Sequence, residues 1–459
     1  MWSPNPDNAL MVDLYELTMA AAYFEHHLES RATFELFVRQ LPPERSFLVA
    51  AGIDAALDYL ENLHFSDEEV RFLRGLPAFR TVSDAFFDYL HAFRFEGEVN
   101  AVEEGAVIFA EEPILQLTAP LAAAQIAETY LLSVINIETL VASKAARVVH
   151  AAQGRGVLEF GTRRAHGPEA GARAGRAAYI GGCVATSNVW AGQRYGIPLA
   201  GTAAHSWTQV FPTERESFEA LLDTYPEGAT LLIDTYDPLS GAETAASLGR
   251  PLAGVRLDSG DLLEKSRRVR EILDRHGLQG VKIVASGDLN EFKIEELLRS
   301  GAPIDLFGVG TELATSRDVP NLSVVYKLVA VEYNGRFEPK TKFSEQKVYA
   351  PGPKQVFRFT SGGFYDRDLI ARADEKYPEA VALLHPAMRE GHRVDARPST
   401  AAIRARALAN LERLPARYQV LRDAPFYPVE KSAALMRLLE EVRERYLGVP
   451  ENPEPRAEH

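Results

Sequence analysis

The chain holds one cysteine, Cys183, among its 459 residues, so no intrachain disulfide can form. That scarcity fits a reducing, cytoplasmic setting. Cys183 stands in YIGGCVATSN with no acid or base beside it. It reads as a small buried apolar residue rather than a nucleophile. Metal-ligand spacings are missing as well. No CxxC, no HExxH and no histidine pair at ligand spacing occurs, which argues against structural zinc. Nor is there a GxSxG elbow or a GxxxxGK[ST] loop, so an α/β-hydrolase nucleophile and a P-loop are both set aside.

Long apolar runs are also wanting. The most apolar stretch, PLAAAQIAETYLLSVINIETLVASKAARVV, is broken by Gln125, Glu128, Asn136 and Glu138. A membrane span needs about 18 uninterrupted apolar residues, so this stretch predicts a long buried helix instead. The opening MWSPNPDNALM lacks the basic and apolar regions of a secretory signal. Positive charge is in deficit, with 50 Lys and Arg against 64 Asp and Glu, a formal net charge of −14. Such a surface repels the phosphates of nucleic acids and anionic membranes, and neither is expected as a partner.

What remains is an ordinary globular composition, 46% hydrophobic and 25% charged, enough for a large core. Its length allows about three domains. Residues 1–115 mix helices and strands and predict an N-terminal α/β domain, completed by strands from about 330–370. NALMVDLYELTMAAAYFEHH sets Leu10, Leu14, Leu17, Ala21 and Phe24 at helical spacing behind a cap at Asn8. RATFELFVRQLP alternates as a strand, and SDEEVRFLRGL and VSDAFFDYLHAF predict capped helices. Residues 331–459 predict a C-terminal extension of strands and helix. It includes an Asn334-Gly335 hairpin, the helix KSAALMRLLEEVRERYLG and a disordered tail, VPENPEPRAEH.

Between them, residues 116–330 carry a repeat. Short apolar runs each end in a polar or glycine-bearing cluster: GVLEFGTRR, GIPLAGTAAHS, ATLLIDTYD, PLAGVRLDSGD, VKIVASGDLNE and IDLFGVGTELATS. Helical patterns separate several of them. The markers His205, Asp234, Asp258, Asp288 and Thr311 follow one another at 29, 24, 30 and 23 residues, the length of a βα unit. An α/β fold with a closed βα barrel is expected, with reacting groups at the C-terminal strand ends.

The clusters suggest chemistry. The glycine turns ASGDLNE and FGVGTELATS, on sequential repeats, let backbone N–H groups approach a phosphate. Gly287, Asp288, Gly308, Gly310 and Thr311 are the candidates there. Arg163, Arg164, Arg173 and Arg176 crowd a Gly/Ala-rich loop and are either an anion clamp or a solvated surface. Arg256 and Asp258 share one face of a strand, as an internal ion pair or as contacts to an anion and to a ribose hydroxyl or Mg²⁺. His205 sits among small residues in GTAAHSW, either as a core histidine or as a reacting group. Asp234, ending the next strand, would orient its ring.

Together VDLYELTM, ETYLLSVINIETLVASKAARVV, EFGTRRAHGPEAG, GTAAHS, VRLDSGD, ASGDLNE and FGVGTEL resemble the nicotinate phosphoribosyltransferase family, from about residue 10 to about 360. The resemblance implies a type II phosphoribosyltransferase fold, an irregular βα barrel beside an N-terminal α/β domain, working as a homodimer with shared sites. It implies coupling of nicotinate to 5-phosphoribosyl 1-diphosphate with Mg²⁺. ATP would assist through a phosphohistidine on His205, hydrogen-bonded by Asp234. It further assigns Phe160 and the partner subunit's Tyr15 to stacking on the base, Arg256 and Thr202 to base contacts, Arg163 to phosphate, Asp258 to the ribose, and the glycine turns with Thr311 to the 5′-phosphate. Ser187 stands where nicotinamide-using relatives carry an Asp. A carboxylate substrate is therefore favoured over the amide, with nicotinamide or quinolinate as alternative bases. A sugar-phosphate lyase or isomerase would need a Schiff-base lysine, for which only Lys282 and Lys327 offer themselves. A non-catalytic metabolite binder would not need the His205–Asp234 pair.

Overall fold

A computed structural model describes residues 9–43, 45–344 and 347–448. The cap at Asn8 and the tail from residue 449 lie outside the described residues.

Apolar alternation in the N-terminal third produces a seven-stranded antiparallel sheet. Its order is Arg336–Pro339, Val324–Tyr333, Arg31–Val38, Pro113–Pro120, Glu98–Val102, Leu384–Arg389 and His392–Arg393. The completing strands thus come from 324–339 and 384–393. Lys354–Ser361 and Phe364–Arg372, expected in this sheet, pair with each other in a separate one with Val381–Ala382 and Val429–Lys431. The Asn334-Gly335 turn does join two paired strands, both residues lying at positive φ. Helix Leu14–Glu25 follows Asp13. Helix Asp67–Arg74 has a capping box of Ser66 and Glu69. Helix Asp84–Ala92 lacks a side-chain cap, because the Ser83 hydroxyl donates to Glu25 instead.

The repeat region forms a six-stranded, wholly parallel sheet. Its order is Ala185–Thr186, Gly156–Glu159, Leu306–Val309, Lys282–Ala285, Leu252–Leu257 and Ala229–Leu232. Leu199 adds a single parallel bridge to Thr186 at one end. Both faces are covered, which is why the strands read as continuous apolar runs. Leu231, Ile233, Val255, Leu257, Ile283, Ala285, Phe307 and Val309 point outward to a core shared with Ala245, Val269, Ile272 and Ile294 of the surrounding helices. Leu158, Ala185 and Val284 point inward, with Phe160, Ala200 and Leu306 against them.

The repeat predicts a closed ring, and the strands do not form one. Among the described residues no ladder joins Ala229–Leu232 to the Leu199 edge. The sheet is a curled parallel half-barrel. Its curvature is visible in one contact. Arg256 and the segment after Leu199 are five strand spacings apart, about 24 Å in a flat sheet, yet Arg256 Nη1 donates to Thr202 Oγ1 at 2.6 Å.

The predicted long helix is two, Leu121–Ile126 and Glu128–Ala151, parted at Ala127. The stretch Leu121–Ala151 is long and apolar enough to span a membrane, but 61% of its apolar window is buried within the protein. It also buries Glu138, Lys144 and Arg147. Glu138 receives Arg176 Nη1 at 2.6 Å and Arg173 Nη1 at 3.1 Å. Arg176 also reaches Glu104 at 2.8 Å and Asp54 at 3.6 Å.

Arg173 and Arg176, candidates for an anion clamp, are therefore consumed by an internal ionic cluster. Arg163 and Arg164, in the short turn Thr162–Arg164, are exposed. Removing one partner from a buried charge cluster typically costs ~3–5 kcal/mol. Arg176→Ala is expected to lose about that much in urea unfolding, whereas Arg163→Ala should leave the midpoint unchanged.

Candidate active site

The C-terminal strand ends converge on the concave side of the half-barrel. Register fixes who meets whom. Arg256 is level with Val284, and Val284 with Leu306, while Gly308 is level with Leu158. Two residues further up, Asp258 and Ser286 face the same interior. Ser286 is the clamp between them. Its hydroxyl donates to Asp258 Oδ1 at 2.5 Å and accepts from Arg256 Nε at 2.9 Å. Arg256 Nη2 donates to the same Asp258 oxygen at 2.9 Å. Nη1 reaches Thr202 Oγ1 and, at 3.3 Å, the Ala203 carbonyl. The guanidinium also lies 5.8 Å from the centre of the Phe160 ring.

Burial alone would raise the Asp258 carboxyl. The Ser286 and Arg256 hydrogen bonds and the charges of Arg256 and His205 outweigh it and hold the group below its ordinary value. Asp258 therefore stays a carboxylate. The ion-pair reading of Arg256 and Asp258 is realised, and the pair faces the concave site.

His205 opens a short helix, His205–Gln209, after the extended GTAA segment. Its Nδ1 lies 3.2 Å from Thr235 Oγ1 and its Nε2 is 3.9 Å from Asp258 Oδ2. The ring is 40% exposed, so it is open to a ligand rather than a core histidine. The expected hydrogen bond from the His205 ring to Asp234 is not formed. Asp234 Oδ2 instead accepts the Asp258 backbone N–H at 2.8 Å and the Ser259 hydroxyl at 3.0 Å. Asp234 Oδ1 is buried without a partner. That geometry makes Asp234 the brace of the Asp258 turn and leaves one spare acceptor beside the histidine's neighbours.

The glycine positions divide into two kinds. Gly287 is a turn glycine with φ +99°, and a Cβ there would lie 2.0 Å from the Asp258 carbonyl oxygen. Asp288 follows, also left-handed at φ 48° and exposed. Gly310 caps the four-residue helix Thr311–Ala314. Gly308 is different, lying inside the Leu306–Val309 strand. A Cβ there would meet the Phe160 ring at 2.6 Å, so its bareness seats the aromatic ring.

Ser187 is exposed, with its backbone N–H on the Glu159 carbonyl. Tyr15 stands apart, 47% exposed on helix Leu14–Glu25, where burial and the neighbouring Glu128 and Glu16 carboxylates push its hydroxyl up. Neither Schiff-base candidate serves. Lys282 is exposed and paired with Asp305, and Lys327 belongs to the N-terminal sheet. Two residues escaped the sequence reading, Thr235 and Ser286. Ser286 directly follows an apolar run and Thr235 comes one residue later, after Asp234, and that position was the available signal.

Three models describe most of the chain. The nicotinate phosphoribosyltransferase N-terminal domain matches residues 10–136, the nicotinate phosphoribosyltransferase family 156–347, and the corresponding C-terminal domain 378–439. A nicotinate phosphoribosyltransferase of Mycobacterium tuberculosis, pncB2, is 44% identical over 443 residues, covering 95% of this chain and 94% of its own. This chain belongs to the nicotinate phosphoribosyltransferase family. The Bacillus subtilis nicotinate phosphoribosyltransferase is 39% identical, over 82% of this chain and 79% of its own. The crystal structure of human nicotinic acid phosphoribosyltransferase superposes with a TM-score of 0.82 at 29% identity, covering 94% and 99% of the two chains. Family membership accounts for the α/β architecture and the run of motifs along the half-barrel.

Two outcomes follow from this geometry. Gly308→Ala forces its methyl against Phe160 and should cost about 1–3 kcal/mol by urea unfolding. Glu214, pushed up to about 7 by burial and by Asp237 and Asp234, holds its proton in the folded state where the unfolded chain has released it. That contribution is fully present below pH 4.5 and is lost as pH rises to about 7. Glu214→Gln should flatten the decline in stability across that window, measured by unfolding at a series of pH values.

Proposed function

We propose that this protein is a nicotinate phosphoribosyltransferase of NAD biosynthesis. It joins nicotinate to 5-phosphoribosyl 1-diphosphate and releases nicotinate mononucleotide and diphosphate. ATP and water become ADP and phosphate in the same cycle. The observation that carries this reading is the convergence of His205, Asp258, Arg256 and Phe160 on one concave rim. Displacing diphosphate builds positive charge on the ribose, and the Asp258 carboxylate is the group to stabilise it. Phe160 offers its face to the pyridine ring. Arg256, beside it with Thr202, is the cation for the nicotinate carboxylate. Ser187 puts no negative charge near that carboxylate.

In the ATP step, a His205 ring nitrogen attacks the γ-phosphorus, the bond to ADP breaks, and water later releases the phosphate. Thr235 Oγ1, 3.2 Å from Nδ1, orients the ring for that step, and Asp234 braces the turn that carries Asp258. Gly287, Asp288, Gly310 and Thr311 hold the 5′-phosphate by backbone N–H groups, and the exposed Arg163 reaches the substrate phosphates. Tyr15 acts in trans, closing the base site of the partner in a homodimer. A cytoplasmic location fits the single cysteine.

Among the described residues no three His, Cys, Asp or Glu side chains converge as a metal cage. Mg²⁺ would neutralise the diphosphate and ATP that carry it, and Asp258 and Asp234 are the carboxylates of the rim that could hold it.

Incubation with labelled nicotinate, phosphoribosyl diphosphate, Mg²⁺ and ATP should give mononucleotide and ADP together. Nicotinamide and quinolinate should turn over far more slowly; preference for either would overturn the base assignment. His205→Ala should abolish the enhancement by ATP, and unchanged coupling in that variant removes the phosphohistidine.

A further inference from the structure

One buried cation lies outside everything assigned so far. Lys144 projects from helix Glu128–Ala151 and is 1% exposed. Its ammonium is 2.6 Å from Glu291, 2.9 Å from Asp318 and 3.9 Å from Glu312. Those three acids come from two different glycine turns. Glu291 is the first residue of the helix that follows ASGDLN. Glu312 lies in Thr311–Ala314, directly after FGVG, and Asp318 closes the same loop.

Neighbouring cations complete the set. Arg147 Nε lies 3.2 Å from Glu291, and Arg45 Nη1 donates to Asp318 at 2.7 Å. Glu291 is fully buried and the Arg45 side chain is inaccessible. Three cations thus face three acids in the interior.

A cluster of this kind contributes little net stability over an apolar packing, because desolvation offsets the attraction. Its effect is geometric, since each pair fixes a distance. We infer that Lys144 is a positioning residue for the 5′-phosphate cradle. Its ammonium links the Gly287 turn to the Gly310 turn through Glu291 on one side and Glu312 and Asp318 on the other. It thereby sets the separation at which two groups of backbone N–H meet one phosphate. The inference rests on the reading that these turns hold the phosphate.

Two variants test it. Lys144→Met removes the link entirely and leaves buried acids, so its fold must be checked by thermal unfolding. Asp318→Asn keeps the buried Lys144–Glu291 pair and weakens the 2.9 Å tie to the second turn, together with the Arg45 contact. Misplacement of a binding group by a fraction of an ångström is expected to raise KM for phosphoribosyl diphosphate about tenfold. KM for nicotinate and kcat at saturation should hold within about twofold. Calorimetric titration with phosphoribosyl diphosphate should show the same tenfold loss.

Unchanged affinity for phosphoribosyl diphosphate in folded Asp318→Asn overturns the role of Lys144. Equal rises in both KM values overturn it too, since they mean general loosening. A wild-type protein that binds no phosphoribosyl diphosphate overturns the phosphate reading itself, and the inference with it.

Discussion

The half-barrel has two free edges, and side chains rather than backbone bring them together. Arg256 reaches from the Leu252–Leu257 strand to Thr202 and Ala203 beyond the far edge. His205, on that far segment, meets Thr235 beyond the Ala229–Leu232 strand. Everything proposed for the site hangs on this lateral closure. Without it the histidine and the Arg256–Asp258 pair would sit on strands several spacings apart. A backbone ladder would hold them more firmly but would fill the gap where ligand must enter.

Around this opening the protein places charge where packing can hold it still. Ser286 fixes Arg256 to Asp258 from within the sheet. Asp234 fixes the turn that carries Asp258. Arg176 and Lys144 each gather several acids in the interior. Such buried groups are costly alone and tolerable only when every partner is in place. The cost is matched by rigidity in the elements that carry the turns.

Much of this was legible in the sequence. The βα repeat is visible because buried parallel strands must be apolar on both faces, and the polar clusters mark their ends. His205, Asp258, Arg256 and Phe160 were found by that rule and by motif, and they meet. What the sequence hides is non-local. Spacing cannot say whether Asp234 turns toward His205 or toward Asp258, since both lie one strand away. Loop arginines look alike in sequence, yet Arg176 is buried and Arg163 exposed. Gly308 and Gly287 read identically, and only the neighbour each would strike, Phe160 or the Asp258 carbonyl, tells them apart. Closure fails as a prediction because a repeat specifies adjacent pairs and not whether the first strand meets the last.

The free edge has a consequence for how such a protein can change over generations. Where a ladder joins two strands, the residues that keep them together are distinct from those that react, and each set drifts under its own constraint. Here Thr202, His205 and Thr235 lie at the seam itself. A substitution that retunes the pocket also retunes how tightly the seam is shut, so selectivity and local order cannot be altered one at a time. New substrates would be reached most readily through positions set back from the seam, such as the exposed Ser187. There a side chain can change without letting the two edges part.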